Sequence, residues 1–227
     1  MAFLTAEYLS KIAPWASELT AAERERAARG TIEKSFSKGD YICHQGDRMN
    51  YWCGVASGII KVGTISTAGK AVTFTGVPTS GWVGEGSILK DEIRQYDIVA
   101  VRDSRVALMQ KTTFDWLFEN SVGFNRFLVR QLNERLGQFI ATVGYDRMFD
   151  ARARVARALG WLFNPVLYPG VGTYLDISQE DLGLICGLSR QAANKGLKEL
   201  EEEGFLTMER NGIRVINLDG LTSYGEE

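Results

Sequence analysis

Ile177-Ser178-Gln179-Glu180-Asp181-Leu182-Gly183-Leu184-Ile185-Cys186-Gly187-Leu188-Ser189-Arg190-Gln191-Ala192-Ala193-Asn194-Lys195-Gly196-Leu197-Lys198-Glu199-Leu200 decides how the last third of this 227-residue chain folds. Ser178 with Gln179, Glu180 and Asp181 opens a helix. Gly183 is small where a second helix must approach, and Gly187, four residues on, suits a left-handed turn. Ser189 caps the second helix, which ends at Gly204. Leu182, Ile185, Leu188, Ala193, Leu197 and Leu200 supply a buried side. Phe205–Met208 and Ile213–Asn217 flank Asn211-Gly212, a two-residue hairpin signal. The order predicted is helix, turn, helix and a β-hairpin wing.

On the second helix Arg190, Gln191, Asn194, Lys195 and Lys198 share the face opposite the leucines, because i, i+1, i+4, i+5 and i+8 lie close in angle. Arginine grips guanine O6 and N7 bidentately, and glutamine pairs with adenine N6 and N7. Ser178 and Ser189 head the two helices and complete this candidate DNA-binding set, Ser189 with its helix N-terminus suiting a phosphate. Residues 147–227 hold nine Lys and Arg against twelve Asp and Glu, so binding must rest on a local basic patch and not on overall charge. That acidity keeps an alternative open, a ligand-sensing or interaction module whose winged helix contacts protein. The acids gather at Glu199–Glu203 and at the C-terminus.

Upstream, Asp150 reads as the N-cap of a helix from Ala151 to about Phe163, stopped by Asn164-Pro165. A long helix precedes it, from about Ser121 to about Tyr145. Val129, Leu132, Leu136, Phe139 and Val143 repeat at 3-4-3-4 spacing, a coiled-coil seam and candidate dimer interface. Thr112 and Thr113 are positioned to cap a short helix through Glu119. Residues 31–110 alternate glycines with short β-branched and aromatic runs such as Ile59–Val62 and Ala71–Thr75, which suggests a sandwich, barrel or roll. Thr20 and Glu23 stand in capping-box spacing ahead of a helix that Gly30 stops as a C′ residue. The fold class is α+β, divided as 1–120, 121–146 and 147–227.

Composition agrees: 45% of residues are apolar, 24% are charged, and formal net charge is −2. No apolar run is long enough for a membrane span, and the N-terminus lacks signal-peptide character. Cys43, Cys53 and Cys186 are odd in number with no CxxC, which fits a reducing cytoplasm. There is one histidine, His44, and no GxSxG, P-loop, GxGxxG or HExxH, so enzymatic activity is not expected. Cys43 and His44 are neighbours on a strand and point to opposite faces, which disfavours a shared metal.

Over nearly its full length the chain resembles the cyclic-AMP receptor protein / fumarate-nitrate reductase regulator (CRP/FNR) family of bacterial transcription factors. Lys38-Gly39-Asp40, Gln45-Gly46-Asp47, Ser57-Gly58, Gly84-Glu85 and above all Ile177–Gly183 with Gly187–Gln191 carry the resemblance. It implies an N-terminal cyclic-nucleotide-binding-like β-roll (1–120), a dimerisation helix (121–146) and a C-terminal winged helix-turn-helix (147–227). It further implies a homodimer on a near-palindromic operator of double-stranded DNA, with half-sites about one turn apart. Contact with RNA polymerase is implied as well, with residues 164–172 the natural activating loop. Arg190 matches the family's guanine-contacting arginine, whereas Gln191 stands where many members carry Glu.

In members that bind cyclic AMP, a Gly-Glu segment and an Arg-Ser pair hold the ribose and phosphate, and two small polar residues on the dimer helix meet the base. Gly84, Glu85, Gly86 and Ser87 keep the first element, and their amides suit an anion. Glu85 is read equally as a ribose contact or as a turn residue tied to nearby amides. Arg94 falls near the expected arginine but is followed by Gln95-Tyr96, and it reads as a solvated loop cation. The base-contacting positions become Phe139 and Ile140. These six residues with Arg94 form the candidate effector set, and cyclic AMP is disfavoured for it. Another small effector, or none, is the expectation. The iron–sulfur cysteine cluster of the family's redox sensors is missing, and no haem is expected.

Overall fold

The computed structural model describes residues 3–65, 69, 71–148 and 150–225, without the side chains of 145–148. Met1, Ala2, Glu226 and Glu227, which figure in the sequence reading, lie outside these residues, as does Phe149 within the expected domain boundary. The chain opens with α1 (Ala6–Ile12), a 3-10 turn (Pro14–Glu18) and α2 (Ala21–Arg29). Thr20 Oγ1 accepts from Glu23 N at 3.3 Å while Glu23 Oε2 accepts from Thr20 N at 2.7 Å, the expected capping box. Gly30 departs from expectation. Its φ is −95°, not left-handed. The position is small for another reason, since a Cβ there would stand 1.9 Å from Thr113 Oγ1.

The β region is a roll of two four-stranded antiparallel sheets. Its elements are β1 (Thr31–Phe36), β2 (Tyr41–Cys43), β3 (Tyr51–Ser57), β4 (Ile59–Ile65), β5 (Ala71–Pro78), β6 (Trp82–Val83), α3 (Glu85–Leu89), β7 (Asp97–Ala100) and β8 (Ser104–Gln110). One sheet has the order β1-β8-β3-β6 and the other β2-β7-β4-β5. Cys53, Val55, Ile60, Val62, Val77, Ile98, Val106 and Leu108 fill the space between them. Burial pushes the Cys53 thiol up to about 12, against the opposing pull of Arg94.

Next come α4 (Lys111–Asn120) and the 27-residue α5 (Val122–Met148). The residue before α4 is Gln110 and makes no side-chain cap. The expected Thr112/Thr113 cap is not formed, because Thr113 is buried against Gly30. Trp15, Trp52, Trp82, Phe114 and Phe124 meet where the N-terminal helices, the roll and the start of α5 converge. Trp52 and Trp82 rings lie 4.3 Å apart and Trp15 sits 5.3–5.4 Å from both. Gly54 leaves the room for this, since a Cβ there would be 2.3 Å from Trp82.

The remaining elements are α6 (Ala151–Leu162), β9 (Tyr174–Leu175), α7 (Gln179–Cys186), α8 (Arg190–Glu202), β10 (Leu206–Glu209), β11 (Gly212–Val215) and α9 (Leu218–Thr222). Asp150 caps α6 as expected, accepting from Ala153 N at 2.8 Å. Strand β11 lies between β10 and β9. Glu209 pairs with Gly212, so the wing turns at Arg210-Asn211 and not at Asn211-Gly212. Gly212 belongs to the strand, where a Cβ would collide with Leu175 O at 2.3 Å. This domain packs on the roll: Ile59 and Val101 join its core, while its own Leu167 and Tyr168 join the core of the roll.

Candidate nucleic-acid interface

The helix-turn-helix is built by local rules. Ser178 Oγ accepts from Asp181 N at 3.1 Å, and Asp181 reaches back to Ser178 N at 3.4 Å. α7 ends at Gly187 with φ 63° and ψ 32°. The Leu188 amide then donates to Gly183 O at 2.9 Å, closing the turn. A Cβ on Gly183 would meet Leu188 O at 3.2 Å and Ala193 Cβ at 3.6 Å, so the second helix does approach closely there. Ser189 Oγ accepts from Ala192 N at 3.2 Å and starts α8.

Along α8, Ala193, Gly196, Leu197 and Leu200 are buried, and a Cβ on Gly196 would stand 3.3–3.4 Å from Val155 and Arg152 of α6. Arg190, Gln191, Lys195 and Lys198 are exposed on the other side. Asn194 is half-buried, and its Oδ1 is buried with no hydrogen-bond partner among the described residues. Arg190, Ser178 and Gln179 share a cleft of about 580 Å³ with the wing residues Arg210 and Asn211. This arrangement presents a basic helix face flanked by two helix N-termini and a wing, a surface shaped for a polyanion.

The roll reaches the rim of that cleft. Arg102 lines it and pairs with Asp176 Oδ1 at 2.6 Å. Lys38 lies 3.3 Å from Asp181 and 3.5 Å from Glu180, and the Asp181 carboxylate holds its ammonium above the usual lysine range.

The expected effector residues are not one group. Gly84, at φ 101°, precedes α3, and Glu85 and Ser87 are buried. Among the described residues, Glu85 accepts from Trp52 Nε1 at 3.3 Å and from no nearby amide. Gly86 has open space at its Cβ position. Arg94 is not a solvated cation but 1% exposed, donating from Nη1 to Gly84 O at 2.6 Å and from Nη2 to Tyr51 O at 2.9 Å. Two carbonyls from different segments draw it inward, a pairing no local pattern announces. Phe139 and Ile140 lie on the exposed side of α5, away from this chain's own roll.

The α5 side chains that meet the roll are instead Gln131, Arg135 and Gln138, all buried. Gln131 and Arg135 donate to Trp82 O at 3.3 Å, and Gln138 donates to Thr75 Oγ1 at 3.1 Å. The sequence reading missed them, although their i, i+4, i+7 spacing marks one helix face. It also missed Tyr168, whose hydroxyl accepts from Arg135 Nη1 at 2.7 Å and donates to Gly76 O at 3.0 Å. The seam residues Val129, Leu132, Leu136, Phe139 and Val143 are 38–67% exposed in the single chain. Cys43 is buried, while His44 faces solvent and stacks on Tyr41 at 4.1 Å.

Comparison with known proteins adds the following. Residues 33–121 match the cyclic nucleotide-binding domain family and residues 153–224 match the Crp-like helix-turn-helix domain family. The chain is 26% identical over 180 residues to the cyclic AMP receptor protein of Thermus thermophilus, covering 79% of this chain and 82% of that one. It is 24% identical over 196 residues to a CRP-like cAMP-activated global transcriptional regulator of Mycobacterium tuberculosis, covering 82% and 84%. Among solved structures, FixK2 from Bradyrhizobium japonicum superimposes with a TM-score of 0.67 at 19% identity, over 84% of this chain and 95% of that one.

Proposed function

Because the chain belongs to the CRP/FNR family of DNA-binding transcription regulators, we propose that it binds a near-palindromic operator as a homodimer and reads each half-site with α8. The observation that carries this is the division of α8: Ala193, Gly196, Leu197 and Leu200 are packed away, and Arg190, Gln191, Lys195 and Lys198 are left facing out. Arg190 is assigned a guanine, Gln191 and Asn194 base edges, and Ser178, Ser189, Lys195 and Lys198 phosphates. Val129, Leu132, Leu136, Phe139 and Val143 are assigned to the junction of two subunits; their exposure as an apolar stripe along α5 in the single chain supports this. RNA polymerase is the assigned partner on promoters, in a cytoplasmic setting.

A cyclic nucleotide does not fit the roll as its residues stand. The arginine that would meet a cyclic phosphate is committed to Gly84 O and Tyr51 O, and the Glu85 carboxylate to the Trp52 indole. Any gating effector is therefore assigned other chemistry, and neither cyclic AMP, an iron–sulfur cluster nor haem is part of the proposal. The relatives named for cyclic AMP share the domain plan, and their ligand is not carried over.

The test is selection of duplexes from a random pool by the full-length protein, followed by titration. Wild type is expected to enrich a two-fold symmetric site with a strong inverse dependence on salt. Arg190→Ala is expected to lose about tenfold to a hundredfold in specific affinity while sedimenting as the same species. Unchanged selection by Arg190→Ala would overturn the reading. Absence of salt-dependent binding to any duplex would favour a protein-binding winged helix.

A further inference from the structure

The C-terminal domain carries more acid than base, and part of the excess stands where a polyanion has to come close. Asp176, Glu180 and Asp181 surround the N-terminus of α7, the end assigned a phosphate through Ser178. Among the described residues, the domain's own charges lining the cleft between α7, α8 and the wing are Arg190 and Arg210 against Asp176, Glu180 and Glu209. Glu209 is taken up by Arg214 of the neighbouring strand at 2.5 Å. Among the described residues, the cations that pair with the three carboxylates at α7 both come from the roll: Lys38 and Arg102.

The roll positions these two side chains with its backbone. Lys38 lies in the turn from β1 to β2 and Arg102 in the turn from β7 to β8. The two turns are tied together, since Lys38 N donates to Asp103 Oδ1 at 2.9 Å and Gly39 N to Ala100 O at 2.8 Å. Gly39 takes a φ of 90° there, which glycine adopts without strain. From this platform Lys38 Nζ reaches Asp181 Oδ1 at 3.3 Å and Glu180 Oε1 at 3.5 Å. Arg102 Nη1 reaches Asp176 Oδ1 at 2.6 Å and also donates to the Asp176 carbonyl oxygen. Asp181 divides its oxygens, Oδ2 closing the capping box on Ser178 N and Oδ1 facing Lys38. Exposed ion pairs of this kind add little to stability. Their charges still shape the field that an approaching duplex meets. A phosphate held at Ser178 lies one helical turn or less from Glu180 and Asp181, inside the screening length of about 8 Å at physiological salt.

We propose that Lys38 and Arg102 are a charge shield lent by the roll: they neutralise Asp176, Glu180 and Asp181 so that the phosphate backbone can settle on the N-terminus of α7. This rests on the reading of α7 and α8 as the DNA-contacting unit. Both are positioning residues, because they act through the carboxylates and touch no phosphate themselves. The acidity of the C-terminal domain is then no obstacle to DNA, since part of its counter-charge is carried on another domain.

The test uses full-length protein and the duplex that wild type selects. Lys38→Gln with Arg102→Gln is expected to weaken binding about tenfold at 0.1 M salt, the size of two uncovered carboxylates beside the backbone, and the deficit to shrink as salt rises. Lys38→Arg with Arg102→Lys keeps both charges and is expected to stay within about twofold of wild type. Adding Asp176→Asn and Glu180→Gln to the glutamine pair restores the charge balance and is expected to recover wild-type affinity. Ethylation interference is expected to mark the same phosphates in wild type and in the glutamine pair. An unchanged affinity in the glutamine pair would overturn the shield, as would a failure of the added substitutions to recover binding. A phosphate marked in wild type alone would make Lys38 or Arg102 a direct contact and overturn it too. If wild type selects no duplex, the operator reading fails and the shield falls with it; selection by wild type with no deficit in the glutamine pair removes the shield alone.

Discussion

Gly187 shows how much of the DNA-reading unit hangs on one backbone angle. At φ 63° a side chain is strained even though the nearest atom to a Cβ, Arg154 Nη2, is 3.7 Å away. Gly187→Ala is expected to cost about 1 kcal/mol in chemical denaturation, and Gly187→Asn less, because asparagine tolerates the left-handed region. Cys53 offers a second test. Buried completely and pushed up to about 12, its thiol stays protonated at neutral pH. At pH 8 it is expected to react with a thiol reagent at least about a hundredfold more slowly than in denaturant. Comparable rates in both conditions would refute this account of the roll's interior. The residues read correctly from sequence, Thr20 with Glu23, Asp150, Ser178, Gly187 and Ser189, all act within a few positions of themselves. Arg94 and Gly30 were misread because their partners, Tyr51 O and Thr113, are brought in by the fold.

Among the elements, α5 inverts the usual pattern of an amphipathic helix. Its apolar seam faces solvent in the single chain, with Val129 at 67% and Leu136 at 59% exposure, while Gln131, Arg135 and Gln138 are buried. A periodicity argument finds the seam and takes the polar stripe for a wet face. Only the positions of Trp82 O and Thr75 reveal that the stripe has acceptors and donors waiting for it. The two faces then divide the labour: one binds the roll by hydrogen bonds, the other is free for a second copy. Leu132→Glu with Leu136→Glu is expected to raise the dimer dissociation constant at least about a hundredfold, read by sedimentation equilibrium. Circular dichroism should retain its helical signal, because both side chains lie outside the buried cores of the single chain. The strands β1, β3 and β6 escaped sequence reading because none shows a clean alternation: β1 runs from buried Thr31-Ile32 to exposed Lys34-Ser35, β3 is buried at every position from Trp52 to Ala56, and β6 is only two residues long.

At the scale of the whole molecule, the roll and the C-terminal domain exchange core residues across their junction. Alkaline pH tests the interior of the C-terminal domain. Tyr224 donates to Glu203 Oε2 at 2.7 Å, and burial with that bond pushes the phenol up to about 12 from 10.0. The folded state thus keeps a proton that the unfolded chain releases. The resulting stabilisation is complete below about pH 10 and lost as pH approaches 12. Unfolding free energy is expected to fall across that window, and Tyr224→Phe to flatten the fall. An identical slope in both proteins would show that other groups govern it. The order of domains, the helix-turn-helix and the wing were legible from the sequence because each is a contiguous unit. The pose of one domain on another was not, since Tyr168, Ile59 and Val101 exchange cores across long separations.

The knot of indoles at the base of α5 has an optical consequence. Trp52 and Trp82, with rings 4.3 Å apart, are close enough for their transitions to couple, and Trp15 completes the set at 5.3–5.4 Å. Coupled chromophores of this kind give a near-ultraviolet circular dichroism signature that depends steeply on spacing and angle. Trp82 is also the residue whose carbonyl receives Gln131 and Arg135. The strut that ties α5 to the roll is therefore wired to an intrinsic spectral probe, and loosening of that strut can be followed in unlabelled protein in real time.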